Sequence, residues 1–229
     1  LLVLSGLVPL LGLLGHPPDP MLLIYTVFVV ACVFQRRLTA LVERLPGPVA
    51  LHLLGLFLFA GALTETLAWA NNYFKAAKEP ALFHPQLFAD LIIGIGFYGG
   101  WAAAWWIALR CFRFRLWETF VVTGLQGIFF EQLGAVFLAM VRAWAANPFL
   151  SLVLGLYVFV VHGSGVGLAM APILDRFTTP EKSRSWLRFP VVIAMMVSLA
   201  FAGCWLVQAA ASCFGGLPPK RSIVEHPFW

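Results

Sequence analysis

Three carboxylates and a histidine fall inside apolar segments of this 229-residue chain: Glu65, Asp90, Glu131 and His162. A charged side chain at the centre of a bilayer costs at least ~2.5 kcal/mol on insertion scales, so such groups turn toward a protein interior or a wet cavity. A carboxyl held in an apolar cavity can act as a general acid, and a neighbouring carboxylate or imidazole can take the proton back. The same residue types also suit stepwise passage of a proton or cation, and plain interhelical hydrogen bonding is the third use open to them. The run "GLQGIFFEQLGAVF", residues 124–137, frames the question most sharply, because Glu131 interrupts the most hydrophobic kind of segment in the chain.

The elements that would hold these groups follow from composition. The chain is 61% hydrophobic and 11% charged, with a mean hydropathy of +0.89. A soluble domain has about 45–50% apolar and about 25% charged residues. The class read from these values is an all-α, polytopic integral membrane helix bundle, taken as one transmembrane domain over 1–229. The net charge of +5 is attributed to loop Lys and Arg. No basic helix interleaved with aromatics lies outside the apolar segments, so nucleic acid is not expected as a partner. The four cysteines, Cys32, Cys111, Cys204 and Cys213, form no CxxC and read as small hydrophobes. Residue 1 is Leu within an apolar run, so the natural start is expected to be missing or processed. Pro9 and the lack of a small-x-small site argue against a signal-peptide core over 1–15.

A hydrocarbon core of roughly 30 Å needs about 20 apolar residues per helix. Seven segments qualify: 1–15, 20–38, 48–71, 86–109, 116–141, 149–173 and 190–213, the first two short and joined by "HPPDP". Most of the 15 Lys and Arg fall in one alternating set of loops, at 36–44, 110–115 and 176–188. That side is expected to be cytoplasmic, with the C-terminus on the opposite side. Small residues at i, i+4 spacing mark faces where helices approach closely. These are Gly96–Gly100–Ala104, Gly163–Gly167–Ala171, Gly124–Gly127–Ala135 with Glu131 on the same stripe, and Ala194–Ser198–Ala202.

At 1.5 Å per residue, Glu65 and Asp90 lie roughly 6–8 Å inside the outer boundary, while Glu131 and His162 lie near mid-membrane. Two tiers result, with Gln208 at the depth of the upper one. Glu118 and Asp175 are placed near the cytoplasmic ends, solvated or paired with Arg113, Arg115 or Arg176. Glu65, Asp90, Glu131 and His162 form the expected catalytic set. Asn72, on the Glu65 face, His84 at the outer mouth, and the deep Trp101 and Trp105 form the expected substrate-binding set. The chain carries no DDxxD, HExxH, P-loop or paired haem histidines, so no cofactor and no metal are expected. The reading is a membrane enzyme performing cofactor-free acid–base chemistry on an apolar lipid or isoprenoid substrate, in a pocket open to the outer leaflet. Its expected partners are membrane lipids and a hydrophobic small molecule. The alternatives are a non-catalytic subunit joined to partner membrane subunits, and a proton- or cation-coupled carrier.

Overall fold

The computed structural model describes residues 2–177 and 185–229; the predicted loop charges Lys182 and Arg184 lie outside the described residues. The described residues form nine α-helices. Helix α1, Leu2–Leu7, runs into a 3-10 turn over Val8–Leu14, and α2, Leu23–Val33, is followed by α3, Gln35–Glu43. Then come α4, Val49–Phe74, α5, Leu87–Cys111, α6, Leu116–Phe130, α7, Ala135–Ala146, α8, Pro148–Met170, and α9, Arg188–Cys213.

Four helices, α4, α5, α8 and α9, are long and apolar enough to cross a membrane. The bent pairs α2–α3 and α6–α7 bring the number to six if each counts as one span. The expectation of seven spans is corrected in three places. The segment 1–15 makes only a short helix and a 3-10 turn. The segment 20–38 breaks at Phe34, where α3 turns 77° from α2. The α3 sequence "QRRLTALVE" carries Arg36 and Arg37 on one face and buries Val42 on the other, the pattern of a helix lying along an interface rather than crossing it. The segment 116–141 is likewise bent by 77° between α6 and α7.

Helix α5 is the centre of the bundle. Half of its most apolar stretch is buried, against 17% for α9. The predicted stripe on α5 is where the bundle is tightest. A Cβ on Gly96 would collide with the backbone of Gly203, and one on Gly100 with the backbone of Leu199. Lipid gives helices no hydrophobic reason to associate, so this backbone approach is what small residues contribute. On α9 the small-residue spacing points to the wrong face. Ala194, Ser198 and Ala202 are exposed, and Val192, Met196 and Ala200 face the core. Bulkier side chains form the inward stripe because only Gly203 and the backbone near Leu199 need to come close.

The basic segments converge on one end of the bundle. Arg176 donates to Nδ1 of His52 at 3.2 Å, and Gln35 donates to Asp175 at 3.5 Å. Arg188 reaches the main-chain oxygen of Arg113 at 2.7 Å and Glu118 at 2.7 Å. Glu118 therefore pairs with Arg188, and it also accepts the Arg115 N–H that opens α6. At the opposite end, Asp19 ties three elements together. It accepts Lys75 at 2.9 Å and the Tyr157 hydroxyl at 3.2 Å. There too the segment 214–229 folds over the start of α5, with Leu87 N–H bonded to Pro227 O and Phe88 N–H to Phe228 O.

Candidate functional site

The break between α6 and α7 positions the key carboxylate. α6 runs regularly to Phe130, and a 3-10 turn over Glu131–Gly134 follows. Leu133 has φ +58° and Gly134 φ +88°. Both values lie in the left-handed region, which Gly enters without penalty and Leu does not. Glu131 is thus a helix-terminal residue that projects past the end of α6, and Ala135, beyond the turn, is exposed. The Gly124–Gly127 face behaves as its spacing predicts. A Cβ on Gly124 would meet Phe159, and one on Gly127 would meet the ring of His162. Close approach of α6 to α8 therefore lets Glu131 and His162 touch.

Nε2 of His162 lies 2.7 Å from Oε2 of Glu131, and Nδ1 lies 3.1 Å from the carbonyl oxygen of Val158. A carbonyl accepts only, so Nδ1 carries a hydrogen. One further proton belongs to the Nε2–Oε2 contact, which is either an imidazolium–carboxylate or an imidazole–carboxylic acid pair. Both ring nitrogens are occupied. The second oxygen of Glu131 makes no hydrogen bond among the described residues, on a side chain 33% exposed.

These two residues line a cavity of about 340 Å³. α4 contributes Thr64 and Glu65, α5 contributes Phe97, Tyr98 and Trp101, and α6 contributes Gln126 and Phe130. Residues 81–83 and Phe201 of α9 close its remaining sides. Of its lining residues, Leu133, Phe201 and Phe130 are 81%, 56% and 46% exposed, so apolar side chains at the surface border it. Tyr98 donates to Oε1 of Glu65 at 2.7 Å. Glu65 and Tyr98 also line a second cavity of about 560 Å³ between α4 and α5, closed in part by Trp229 and otherwise apolar. The two cavities thus share a wall.

Of the eight expected site residues, Glu65, Glu131, His162 and Trp101 share the first cavity, and the other four do not. Asp90 is fully buried beside Glu65, where Oδ1 accepts the His84 N–H at 2.9 Å and so holds the turn before α5. Its Oδ2 takes no N–H donor among the described residues, and its carboxyl lies within hydrogen-bonding reach of the Glu65 carboxyl. His84 is engaged with the tail: Nδ1 accepts the Gln86 N–H at 3.2 Å and Nε2 donates to Pro218 O at 3.0 Å. Asn72 bonds its own helix at Ala68 O and accepts the Ala81 N–H. Trp105 is fully buried against Phe114, away from both cavities. Gln208 lies on the exposed face of α9. Which way each side chain faces and which backbone groups it caps keep these residues out of the cavity.

Among the polar residues of the cavity, Thr64, Tyr98 and Gln126 lie outside the expected set. Gln126 is 6% exposed and its Oε1 has no partner among the described residues; the same holds for Nε1 of Trp101, 2% exposed. A signal for Gln126 is present in the sequence, since it is a second polar residue one and a half turns before Glu131 in the same apolar run. Among the described residues no group of three or more His, Cys, Asp and Glu side chains comes together to hold a metal. Comparison of the chain with protein-family models, with curated proteins and with solved structures finds no match.

Proposed function

We propose that the chain is an integral membrane enzyme carrying out cofactor-free acid–base chemistry on an apolar lipid substrate. Glu131 is the proton-transferring group, and His162 fixes its position and charge. Glu65, with Tyr98, is the second proton-exchanging pair on the opposite wall. The observation that carries this reading is that Glu131 has one oxygen held by His162 at 2.7 Å and the other free, in a cavity bordered by exposed apolar side chains. A base in such a place meets substrates dissolved in lipid, and water is kept from competing. In this reading the Arg-rich end of the bundle faces the cytoplasm, by the excess of Lys and Arg there.

The test does not require the substrate to be identified in advance. Wild-type and Glu131→Gln protein are reconstituted in vesicles of total lipid extract, incubated in D₂O, and the lipids are compared by mass spectrometry. The expected result is a neutral lipid species converted or deuterated by the wild type and untouched by the variant. Identical lipid profiles would refute the enzyme. A non-catalytic subunit is the second reading, favoured by α7, none of whose residues is buried. Proton uptake into the same vesicles, lost in Glu131→Gln without lipid conversion, would instead establish a carrier.

A further inference from the structure

We infer that the basic end of the bundle is a docking surface for anionic phospholipids, with α3 as its main element. The charged heads lie along Arg37 and Arg44, and the acyl chains cover Phe34, Leu41 and Leu45. This surface is separate from the Glu131 cavity and does not depend on what that cavity binds.

The side chains of α3 divide into three strips. α2 packs against the long apolar helix α8, where a Cβ on Gly167 would meet the ring of Phe28. The 77° turn at Phe34 then lays α3 across the end of the bundle. Val42 is buried and Leu38 packs on the core, which fixes the inward strip. Phe34 and Leu41 form an i, i+7 pair, and both are exposed, as is Leu45 just beyond the helix. Arg37 and Arg44 form a second i, i+7 pair, also exposed, rotated about 60° from the first on an ideal helix. The Arg37 guanidinium lies 5.7 Å from the centre of the Phe34 ring. An apolar strip flanked by arginines suits a helix that rests between acyl chains and head groups.

Charge selects the head. Gln35, next to Arg36, donates to Asp175, and Arg110 lies over the ring of Trp106, which meets Phe177 at 5.7 Å. These contacts bring the exposed Arg36, Arg110 and Arg176 to the same surface as α3. Arg176 is tethered there without being neutralised. Nε2 of His52 faces the carbonyl oxygen of Pro46 at 3.1 Å and so carries the ring hydrogen, while Nδ1 accepts from Arg176. A ring that donates at one nitrogen and accepts at the other is uncharged. The ion pairs among the described residues use Lys75, His162 and Arg188, and none of these five arginines. Against them stand only Glu43 and Asp175 on this surface. A zwitterionic head brings no net charge to offset the excess, whereas a head with a net negative charge does. A soluble anion would meet the arginines but leave Phe34, Leu41 and Leu45 uncovered.

The experiment places the full chain in phosphatidylcholine nanodiscs doped with a diazirine-bearing phospholipid probe. Two probes share the same acyl chains, one with a phosphatidylglycerol head and one with a phosphatidylcholine head. Adducts are mapped by mass spectrometry after photolysis. Each arginine beside an anionic surface is worth about five-fold in binding. The expected result is that the phosphatidylglycerol probe labels 34–45 at least ~10-fold more than the phosphatidylcholine probe. Unlabelled phosphatidylglycerol should compete, and inorganic phosphate should not. Arg37→Gln combined with Arg44→Gln should bring that labelling close to the phosphatidylcholine level. Arg142→Gln is the control, because α7 packs against the start of α8, with Ser151 bonded to Met140 O, while Arg176 follows the end of α8. Its labelling of 34–45 should match the wild type. Equal labelling of 34–45 by the two heads overturns the inference. So does a phosphatidylglycerol excess of the same size over 137–152, which would reflect net charge and no site. Displacement by inorganic phosphate overturns it too, by assigning the arginines to a soluble anion. The head-group comparison on the wild type decides even if the double variant fails to fold.

Discussion

Glu131 meets His162 at 2.7 Å because α6 ends one residue before it. On a continuous helix its side chain would lie along the α6 surface. At the helix end it projects into the cavity, with one oxygen held and one free. The His162 ring is fixed from its other side by Val158 O at 3.1 Å. A group positioned in this way contributes typically ~10²–10⁴-fold in general acid–base catalysis. Glu131→Gln, which keeps shape and hydrogen bonding, should lower turnover of the converted lipid by that factor with little change in KM. Size-exclusion behaviour and thermal unfolding of the purified variant should match the wild type. A variant that keeps more than a tenth of the activity would remove Glu131 from the chemistry.

The turn that aims Glu131 depends on Gly134, whose φ is +88°. An L side chain in the left-handed region costs roughly 1–2 kcal/mol. Gly134→Ala should therefore destabilise the protein by about that amount and weaken the His162–Glu131 contact, lowering turnover as well. Ala135→Gly, one residue further on in ordinary helix, should cost no more than ~1 kcal/mol and leave turnover intact. Thermal melts of the two variants side by side decide whether the turn or merely the region matters.

Much of this is legible in the sequence, and the losses have physical causes. Composition points to an all-helical membrane bundle, and α4, α5, α8 and α9 fall where hydropathy puts them. Hydropathy is blind to direction, so it counts the bent α6–α7 pair as one straight span. The bend is set by φ at Leu133 and Gly134, and a lone Gly in an apolar run is too common to announce one. Position along the helices pairs Glu131 with His162, which touch at 2.7 Å, and Glu65 with Asp90, whose carboxyls are neighbours. It cannot show that Asp90 and His84 are engaged in holding the α5 start and the segment 214–229 together. Nor can small-residue spacing locate the inward face of α9, because one glycine, Gly203, suffices for the contact with Gly96.

That contact is testable in its own right. A Cβ on Gly203 would collide with the carbonyl of Gly96, a rigid backbone atom that cannot rotate aside. Gly203→Ala should push α9 off α5 and destabilise the bundle by roughly 1–3 kcal/mol, the usual range for overpacking. Gly99→Ala, on α5 but facing open space, should be neutral or slightly stabilising. Equal melting temperatures for the two variants would contradict the close approach.

The ion pair of Arg188 and Glu118 offers a different signature. The side chains are 8% and 10% exposed and meet at 2.7 Å, with Arg188 also bonded to Arg113 O and packed over Phe189. Removing one partner of a buried pair strands the other charge, at a cost on the order of 3 kcal/mol. Glu118→Gln and Arg188→Met should each be strongly destabilising. The double variant should lose clearly less than the sum, because neither charge is then left alone. Strict additivity in detergent unfolding would show that the pair contributes little.

The segment 214–229 should respond to pH through His84, which lies in the turn ahead of α5. Burial pushes its imidazole below the ordinary value of 6.5 and Lys220 adds to this, while its hydrogen bond to Pro218 O acts the other way. Asp90 faces the same turn but takes the main-chain N–H of His84, not its ring. As Nδ1 accepts the Gln86 N–H at 3.2 Å, protonation would set two N–H groups against each other. With the folded pKa below the unfolded one, the released form binds the proton first. His84 therefore costs nothing at neutral and alkaline pH. Stability of the clamp falls as pH drops below about 6.5 and stops falling once pH passes below the depressed folded value. Hydrogen–deuterium exchange over 84–88 and 217–228, corrected for intrinsic rates, should rise between pH 7.5 and pH 5 while the interior of α5 stays protected. His84→Gln should raise exchange at pH 7.5 and flatten the dependence, since the pair of ring bonds is lost at every pH. Unchanged protection of 217–228 in the wild type across that range would show that the tail is held by the Gln86 and Pro227 bonds alone.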